Sequence, residues 1–254
     1  MIDDPAVDGL GSDRSDGVVW LTLERPEARN ALTIAMRRGL IAAMQAADVG
    51  PGTRVVVLTG TDPAFSAGID LKESLGDGTG SVRGARTNPA EVFRACTTPV
   101  IGAINGLCYT GALELALSCD FLIASERACF ADTHAAVGML AGWGMSALLP
   151  RAVGARLARQ MMLTGAAIDA DQALRAGLVN EVVPHEQLRG RVRRIVDEIR
   201  VASPASVAAT RDLPAVGEGA TLAHALGLEA MAKLRFRTDP ADVARRFAAR
   251  ISRR

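Results

Sequence analysis

Two ionisable side chains are the first candidates for chemistry in this sequence. Glu114 is the only carboxylate in the apolar run of residues 111–117. A buried carboxylate without a partner acquires a raised pKa or serves a dedicated role, whereas the alternative interpretation is a first-turn glutamate that the helix dipole favours. His134 ends the segment 130–134. It is either a general acid or base, or a structural histidine paired with Asp132 in a cap.

Two glycine-containing turns are the second group of candidates. Each follows an apolar, strand-like segment and opens a helix, an arrangement that points backbone N–H groups into a cavity. The first turn covers residues 65–72 and follows the segment 55–58, and the second covers residues 105–114 and follows the segment 100–104. Most turns of this kind are only connections, so neither one alone predicts a site.

The elements around these turns alternate between strand and helix. Residues 18–23 are predicted to form a strand, residues 30–47 an amphipathic helix, and residues 55–58 a strand covered on both faces. Strand, helix and strand are then predicted in close succession within residues 100–124, and the chain beyond residue 152 is mostly helical in its spacing. The alternation predicts the α/β fold class.

Composition narrows the class of protein further. A chain of 254 residues and 26.6 kDa predicts one large domain with a small appendage. Hydrophobic residues make up 49% of the chain and aromatic ones only 4%, so we expect a core built from Ala, Val, Leu and Ile. The formal net charge of +1 offers no general attraction for nucleic acid or an anionic membrane, and neither is predicted as a partner.

The cysteines and the N-terminal segment bear on location. The four cysteines show no CxxC spacing and, together with three histidines, form no zinc pattern, so no metal site is predicted. We interpret them as reduced, buried thiols. Residues 1–17 are acidic and glycine-rich and lack the basic and apolar regions of a signal peptide. The apolar segment 100–124 is interrupted by polar residues, so we expect no membrane span and a cytoplasmic location.

Four blocks of the chain, in order, resemble the enoyl-CoA hydratase/isomerase (crotonase) family: residues 25–32 (RPEARNAL), 55–72, 99–120 and 155–184. The resemblance extends over about residues 17–190. It implies the repeated ββα spiral core of that family, followed by a C-terminal helical region that builds trimers, often paired into hexamers. We therefore expect a crotonase-like core at residues 1–195, a helical trimerisation region at residues 196–254, and a homotrimer or hexamer.

The resemblance also implies a site for an acyl-CoA substrate. In the family, two backbone N–H groups form an oxyanion hole for the thioester carbonyl, and by motif position these belong to Ile69 and Gly111. The CoA is expected to lie along residues on both sides of the first turn, with the earlier two near its pantetheine or nucleotide end: Ala28, Arg29, Ala67, Ile69, Asp70, Leu71 and Lys72. No cofactor is expected besides the CoA thioester itself.

The hydratases of the family use two glutamates, and this sequence departs from that pattern. Glu114 matches the first glutamate, whereas His134 stands where the second is expected. The leading prediction is an enoyl-CoA hydratase-like lyase that adds water across the 2,3 double bond, with His134 as a second proton-transfer group. The alternatives are isomerisation, hydrolysis or another enolate chemistry, and a non-catalytic acyl-CoA binder. Residues 76–88 match no block and are expected near the acyl pocket.

Overall fold

The computed structural model describes most of the chain, namely residues 7–50, 52–75, 87–217 and 219–251. The loop that the sequence places near the acyl pocket, residues 76–88, lies outside the described residues except for its last two. Two compact units make up the chain, Met1–Asp197 and Glu198–Arg254.

The first unit is built on two β-sheets. The strands within its described residues are β1 (Leu10–Ser15), β2 (Val18–Leu23), β3 (Val55–Gly60), β4 (Ala64–Ser66), β5 (Val100–Ile104), β6 (Leu107–Tyr109), β7 (Phe121–Ser125), β8 (Cys129–Ala131), β9 (Ile168–Asp169) and β10 (Glu181–Val183). The larger sheet has the order β1-β2-β3-β5-β7-β10, and the smaller has the order β4-β6-β8-β9. The pairs β1–β2 and β8–β9 are antiparallel, and the other neighbours are parallel.

Helices connect these strands. Those within the first unit are α1 (Ile34–Val49), α2 (Leu71–Leu75), α3 (Pro89–Ala95), α4 (Gly111–Ala116), α5 (Met145–Val153), α6 (Ala155–Thr164) and α7 (Ala170–Ala176). The last helix, α8 (Leu188–Arg200), contains Asp197, the residue at which the first unit ends. Short 3-10 turns lie at Pro26–Ala28, Ala135–Val137 and His185–Gln187. Strands and helices in this order make an α/β fold, as the alternation predicts.

The second unit consists of helices. They are α9 (Pro204–Gly217), α10 (Leu222–Arg235) and α11 (Pro240–Ile251), and α9 packs against α10. Thr221 caps α10 by accepting a hydrogen bond from the His224 N–H at 3.3 Å. Several large apolar side chains on α10 and α11 are exposed: Leu222, Leu226, Met231, Leu234, Val243, Phe247 and Ile251.

The buried strands of the larger sheet form where the sequence predicts them. In β3 the first five side chains are buried, because a parallel strand is covered on both faces. The apolar segment 100–124 folds as β5, β6, α4 and β7 inside the first unit. Among the described residues, none of the helices is both long and apolar enough to cross a membrane.

The first helix begins later than its apolar spacing predicts. Asn30 has a positive φ of 55° and does not belong to α1. Its side-chain amide donates to the Thr61 and Ala64 carbonyls at 2.6 and 2.7 Å, so it ties the chain to the turn that precedes β4. The helix starts at Ile34 because the Thr33 hydroxyl caps it, accepting from the Met36 N–H at 3.0 Å.

The smaller sheet and the first strand are absent from the sequence prediction. Strands β4, β6, β8 and β9 are only two or three residues long, too short for a periodic pattern to be recognised. The polar segment of β1, LGSDRS, lies at the edge of the larger sheet with most side chains exposed, so it has no apolar pattern. The predicted loose start of the chain therefore includes one strand of a β-hairpin.

Candidate active site

The two predicted glycine turns lie next to each other. Strands β4 and β6 are parallel neighbours in the smaller sheet, so the turns that follow them leave the same edge. A β-carbon placed on Gly68, where φ is 95°, would lie 2.9 Å from the Tyr109 carbonyl oxygen and 3.2 Å from the Gly111 nitrogen. Only glycine therefore allows this approach. The sequence identified both turns but not the short strands from which they emerge.

At each of these turns, one backbone N–H group lies outside the hydrogen bonds of the adjoining bridge or helix. Leu32 N donates to the Gly68 carbonyl at 2.7 Å, and Asp70 N donates to the Leu32 carbonyl at 3.0 Å. In such a parallel bridge the N–H of the intervening Ile69 faces the opposite side. Gly111 is the first residue of α4, so its N–H has no acceptor within that helix. The adjoining turns can thus direct two donors at one oxygen.

Glu114 lies one helical turn after Gly111 and is 1% exposed. Its Oε1 accepts hydrogen bonds from the backbone N–H groups of Trp143 at 2.6 Å and Met145 at 3.0 Å. Met145 is the first residue of α5, so the carboxylate occupies the electropositive end of that helix. One carboxylate oxygen is therefore fixed and the other, Oε2, is directed elsewhere.

Burial raises the pKa of Glu114, and this desolvation outweighs the hydrogen bonds from Met145 and Trp143. The charge of His134 also lowers the pKa, while that of Asp132 raises it. A raised pKa makes the carboxylate a stronger base. The position combines a carboxylate of raised pKa with an oxygen, Oε2, that accepts neither of these backbone hydrogen bonds, an arrangement that suits general acid–base chemistry.

His134 contacts both Asp132, the partner that the sequence proposes for it, and Glu114. Its Nδ1 lies 2.6 Å from Asp132 Oδ1, and its backbone N–H donates to the same oxygen at 3.2 Å. Its Nε2 lies 3.7 Å from Glu114 Oε2. The histidine is thus paired with Asp132 and at the same time faces the free oxygen of Glu114.

Trp143 is the main part of the site that sequence reasoning missed. A β-carbon on Gly111 would lie 3.2 Å from Trp143 Cζ3 and 3.3 Å from Ile69 Cγ1, so these two side chains border the donors. The buried Arg37 guanidinium lies 5.9 Å from the centre of the Trp143 ring, and burial lowers its pKa. The signal in the sequence was the Gly-Trp-Gly segment at residues 142–144, which alone does not reveal that its backbone holds a carboxylate.

The residues expected to contact CoA lie on adjoining segments. The Ala67 N–H donates to the Arg29 carbonyl at 2.9 Å, which joins the turn after β2 to the turn after β4. The side chains of Arg29 and Lys72 are exposed. The carboxylate of Asp70 accepts from Arg25 Nη1 at 2.9 Å, and this pair contributes to a lowered pKa of Asp70.

The remaining predicted contacts, Ala28 and Leu71, are half-buried and flank the same region.

Within the described ranges, no three His, Cys, Asp or Glu side chains are grouped so that they could hold a metal ion. The four cysteines are thiols; Cys96 and Cys108 are buried, whereas Cys119 and Cys129 are only half-buried.

Comparisons with known proteins match this sequence and this fold to one family. The family model described as enoyl-CoA hydratase/isomerase matches residues 13–239. The chain belongs to the enoyl-CoA hydratase/isomerase family. The resemblance carried by the four sequence blocks is therefore confirmed, and so is the crotonase-like fold.

Individual members of the family are similar along most of the chain. The probable enoyl-CoA hydratase 1, peroxisomal, of Arabidopsis thaliana is 37% identical over 85% of this chain and 81% of the relative. The crystal structure of enoyl-CoA hydratase from Bacillus anthracis gives a TM-score of 0.90 at 30% identity, covering 96% of this chain and 97% of that one. The enoyl-CoA hydratase from Mycobacterium tuberculosis H37Rv gives a TM-score of 0.74 at 46% identity, covering 89% and 97%.

Proposed function

We propose that the protein is an enoyl-CoA hydratase that adds water across the 2,3 double bond of an enoyl-CoA thioester. The observation that carries this proposal is the buried Glu114, whose Oε1 is held by two backbone N–H groups while Oε2 faces His134 at 3.7 Å. A hydratase needs a base that holds water and a second group that exchanges a proton with the α-carbon. Family membership supports the same reaction.

The proposed oxyanion donors are the N–H groups of Ile69 and Gly111. As water adds, the thioester carbonyl gains negative charge and becomes enolate-like. Fixed dipoles aimed at that oxygen stabilise the charge without reorganising, and removal of one such donor typically slows a reaction by about 10²- to 10³-fold. Because both donors are backbone groups, the side chain of Ile69 is left to border the acyl group.

In the proposed reaction, Glu114 and His134 together take up and supply all the protons that are transferred. Glu114 Oε2 takes one proton from water while the hydroxide forms its bond to the β-carbon and the double-bond electrons move onto the thioester oxygen. The enolate then re-forms the carbonyl and takes a proton at the α-carbon from Nε2 of His134, which begins the cycle as an imidazolium and is left as a neutral ring. Transfer of the proton from Glu114 to His134 restores the starting state. No metal or other cofactor is needed for these steps, so we propose that a chelator leaves the rate unchanged.

Loss of the conjugated enoyl-CoA chromophore, followed with crotonyl-CoA, tests the proposal. Glu114→Gln is expected to reduce kcat at least about 100-fold and His134→Ala at least about 10-fold, since general acid–base groups contribute about 10²- to 10⁴-fold. His224→Ala, on the exposed side of α10, is the matched control and is expected to retain the wild-type rate. Full activity of Glu114→Gln would contradict the assignment.

A second reaction is favoured by one observation, the histidine at the position of the second family glutamate. An oxyanion hole suits any enolate, and the neighbouring side chains decide its fate, so isomerisation or thioester hydrolysis are the competing outcomes. Mass spectrometry of the products from a panel of acyl-CoAs separates them. Hydration yields only the 3-hydroxyacyl-CoA, whereas a shifted double bond or free CoA identifies the other reactions. Binding without turnover would identify a non-catalytic acyl-CoA binder.

We propose that the CoA moiety lies along Ala67 and Lys72, with Arg29 beside it. The exposed cations Arg29 and Lys72 can meet its phosphates, and the backbone contact between Ala67 and Arg29 brings their segments together. Lys72→Ala is expected to raise KM for crotonyl-CoA by about 1.5- to 5-fold with kcat unchanged, as for a single exposed charge pair.

Location and assembly complete the proposal. We propose a cytoplasmic location, which is supported by the thiol state of its cysteines, since thiols persist in reducing compartments. We place it in a homotrimer or a hexamer because α10 and α11 expose apolar side chains that a partner subunit would cover. Cell fractionation and a mass measurement in solution test these two points.

A further inference from the structure

His134, the proposed proton donor, makes a short hydrogen bond through the ring nitrogen that does not face Glu114. His134 Nδ1 lies 2.6 Å from Asp132 Oδ1, and the His134 backbone N–H donates to the same oxygen at 3.2 Å. Asp132 is 2% exposed, so water does not compete for this oxygen. An ionised carboxylate only accepts hydrogen bonds, so with Asp132 ionised this contact requires the proton on Nδ1.

The opposite ring nitrogen is the one that faces the reaction. Nε2 of His134 lies 3.7 Å from Glu114 Oε2, on the far side of the ring from Asp132. A neutral imidazole holds its single side-chain proton on either nitrogen, and which one is set by the hydrogen bond that the other makes. With Nδ1 committed to Asp132, Nε2 is left to give and take protons.

The segment that carries Asp132 and His134 is fastened to the oxyanion turn. The hydroxyl of Thr133, between them, lies 2.6 Å from the hydroxyl of Thr110, and the Thr110 N–H donates to the Ala131 carbonyl at 2.9 Å. Thr110 has a φ of 56°, a conformation that a β-branched residue keeps only where its surroundings hold it. The segment that carries the imidazole is thus tied to the residue before Gly111 by one backbone and one side-chain hydrogen bond.

We propose that Asp132 is a positioning residue that keeps the Nδ1 of His134 protonated, so that Nε2 alone exchanges protons with the substrate and with Glu114. In each turnover the Nε2 proton goes to the α-carbon and Glu114 returns the proton that it took from water. The Nδ1 proton stays in its bond to Asp132 throughout. The effect on rate rests on the proposed function, whereas the tautomer of His134 is a property of the free protein.

The tautomer is measured by 15N NMR on the full chain labelled only at its histidine imidazoles. The chain has three histidines, so the single variants His185→Gln and His224→Gln assign the signals. Across a pH series, the neutral form of the wild-type His134 ring is expected to carry its proton on Nδ1. A neutral wild-type ring with its proton on Nε2 overturns the proposal. The wild-type spectrum decides even if a variant fails to fold.

Kinetics supply the second readout. Asp132→Asn keeps an oxygen in the same place but removes the charge, and it is expected to lower kcat for crotonyl-CoA about 10- to 100-fold while KM stays within about 2-fold. A purely structural role would instead change KM and thermal stability together with kcat.

Asp62→Asn is the matched control. Asp62 Oδ2 lies 2.9 Å from His185 Nε2, in an Asp–His pair that shares no residue with the proposed site, so the same substitution there should leave kcat unchanged. If Asp132→Asn retains the wild-type kcat, the positioning role is wrong. If the wild type hydrates no enoyl-CoA, the proposed function fails, and the NMR result still decides the tautomer on its own.

Discussion

At the scale of single residues, the two oxygens of Glu114 have different tasks. Oε1 is bound by the N–H groups of Trp143 and Met145, and Oε2 faces His134. The first contact fixes the direction of the carboxylate, and burial raises its pKa. Together they make an oriented base from a residue type that is ordinarily a weak one. Two consequences for pH follow, one for the rate and one for the stability.

The acidic limb of the rate profile belongs to Glu114 in the proposed reaction. The carboxylate must be ionised to accept a proton from water, and its raised pKa means that it is protonated at a higher pH than an ordinary glutamate. We expect kcat/KM for crotonyl-CoA to be half lost at a pH above about 4.3, the usual glutamate pKa. The residual rate of Glu114→Gln is expected to lack this limb; its presence there would assign the limb to another group.

The same raised pKa lowers the stability of the wild type at neutral pH. The folded protein binds the Glu114 proton more tightly than the unfolded chain does, so the free energy of unfolding falls as pH rises from the unfolded to the folded pKa. Glutamine cannot ionise and avoids this loss. We expect Glu114→Gln to have a higher Tm than the wild type at neutral pH, with the difference shrinking as pH falls toward about 4.3.

Differential scanning calorimetry at several pH values measures that difference. Glu126→Gln, on the exposed turn after β7, is the matched control and is expected to leave Tm unchanged at each pH. A Tm difference for Glu114→Gln that is constant with pH would show that ionisation is not its cause.

At the scale of elements, the site depends on the close approach of the turns after β4 and β6. Gly68 has no room for a side chain, since a β-carbon would lie 2.9 Å from the Tyr109 oxygen and 3.2 Å from the Gly111 nitrogen. A methyl group there would push apart the two N–H groups proposed to bind one oxygen. Catalysis of this kind is sensitive to displacements of about 1 Å.

Gly68→Ala is therefore expected to lower kcat at least about 10-fold, in addition to a loss of stability. The matched control is Gly154→Ala. Gly154 also has a positive φ, 81°, but a β-carbon there would meet nothing within 4 Å. We expect the control to lower Tm without lowering kcat. Equal kcat values for the two variants, measured with crotonyl-CoA below their Tm, would contradict the role of the close approach.

Sequence patterns predict elements that are long and buried. Strands such as β3 and helices such as α1 have lengths and apolar spacing that single-sequence reasoning detects. The strands β4 and β6 are three residues each, and their pairing is a long-range contact that no local pattern encodes. For the same reason the site was predicted only in part. Glu114 and His134 have recognisable side chains, but the partners of Glu114 are backbone groups, which look alike in every residue.

At the scale of the whole molecule, the second unit shows an apolar surface. Phe247 on α11 and Leu234 on α10 are among its exposed apolar side chains. Large exposed apolar patches on soluble proteins mark interaction sites, and symmetric oligomers bury such patches against copies of themselves. The proposed trimer or hexamer gives these side chains a partner.

Phe247→Glu is expected to shift the mass measured by light scattering from that of a trimer or hexamer to a smaller species, because it places a charge in the proposed apolar contact. Arg245→Glu changes charge at an exposed position of the same helix and is expected to retain the wild-type mass. A wild-type protein that is monomeric at micromolar concentration would dismiss the proposed assembly.

The hydrogen bonds to Glu114 also make activity a probe of folding. Its carboxylate lies on α4, yet the N–H groups that orient it belong to Trp143 and Met145. These two residues follow Glu114 in the sequence by 29 and 31 positions. A partly folded state that keeps its helices but loses their mutual packing would retain its far-ultraviolet circular dichroism signal. In that state the Glu114 carboxylate would lose the two hydrogen bonds that orient it. Enzymatic rate therefore reports on the docking of α4 against the start of α5, a step that spectroscopic measures of helix content do not detect.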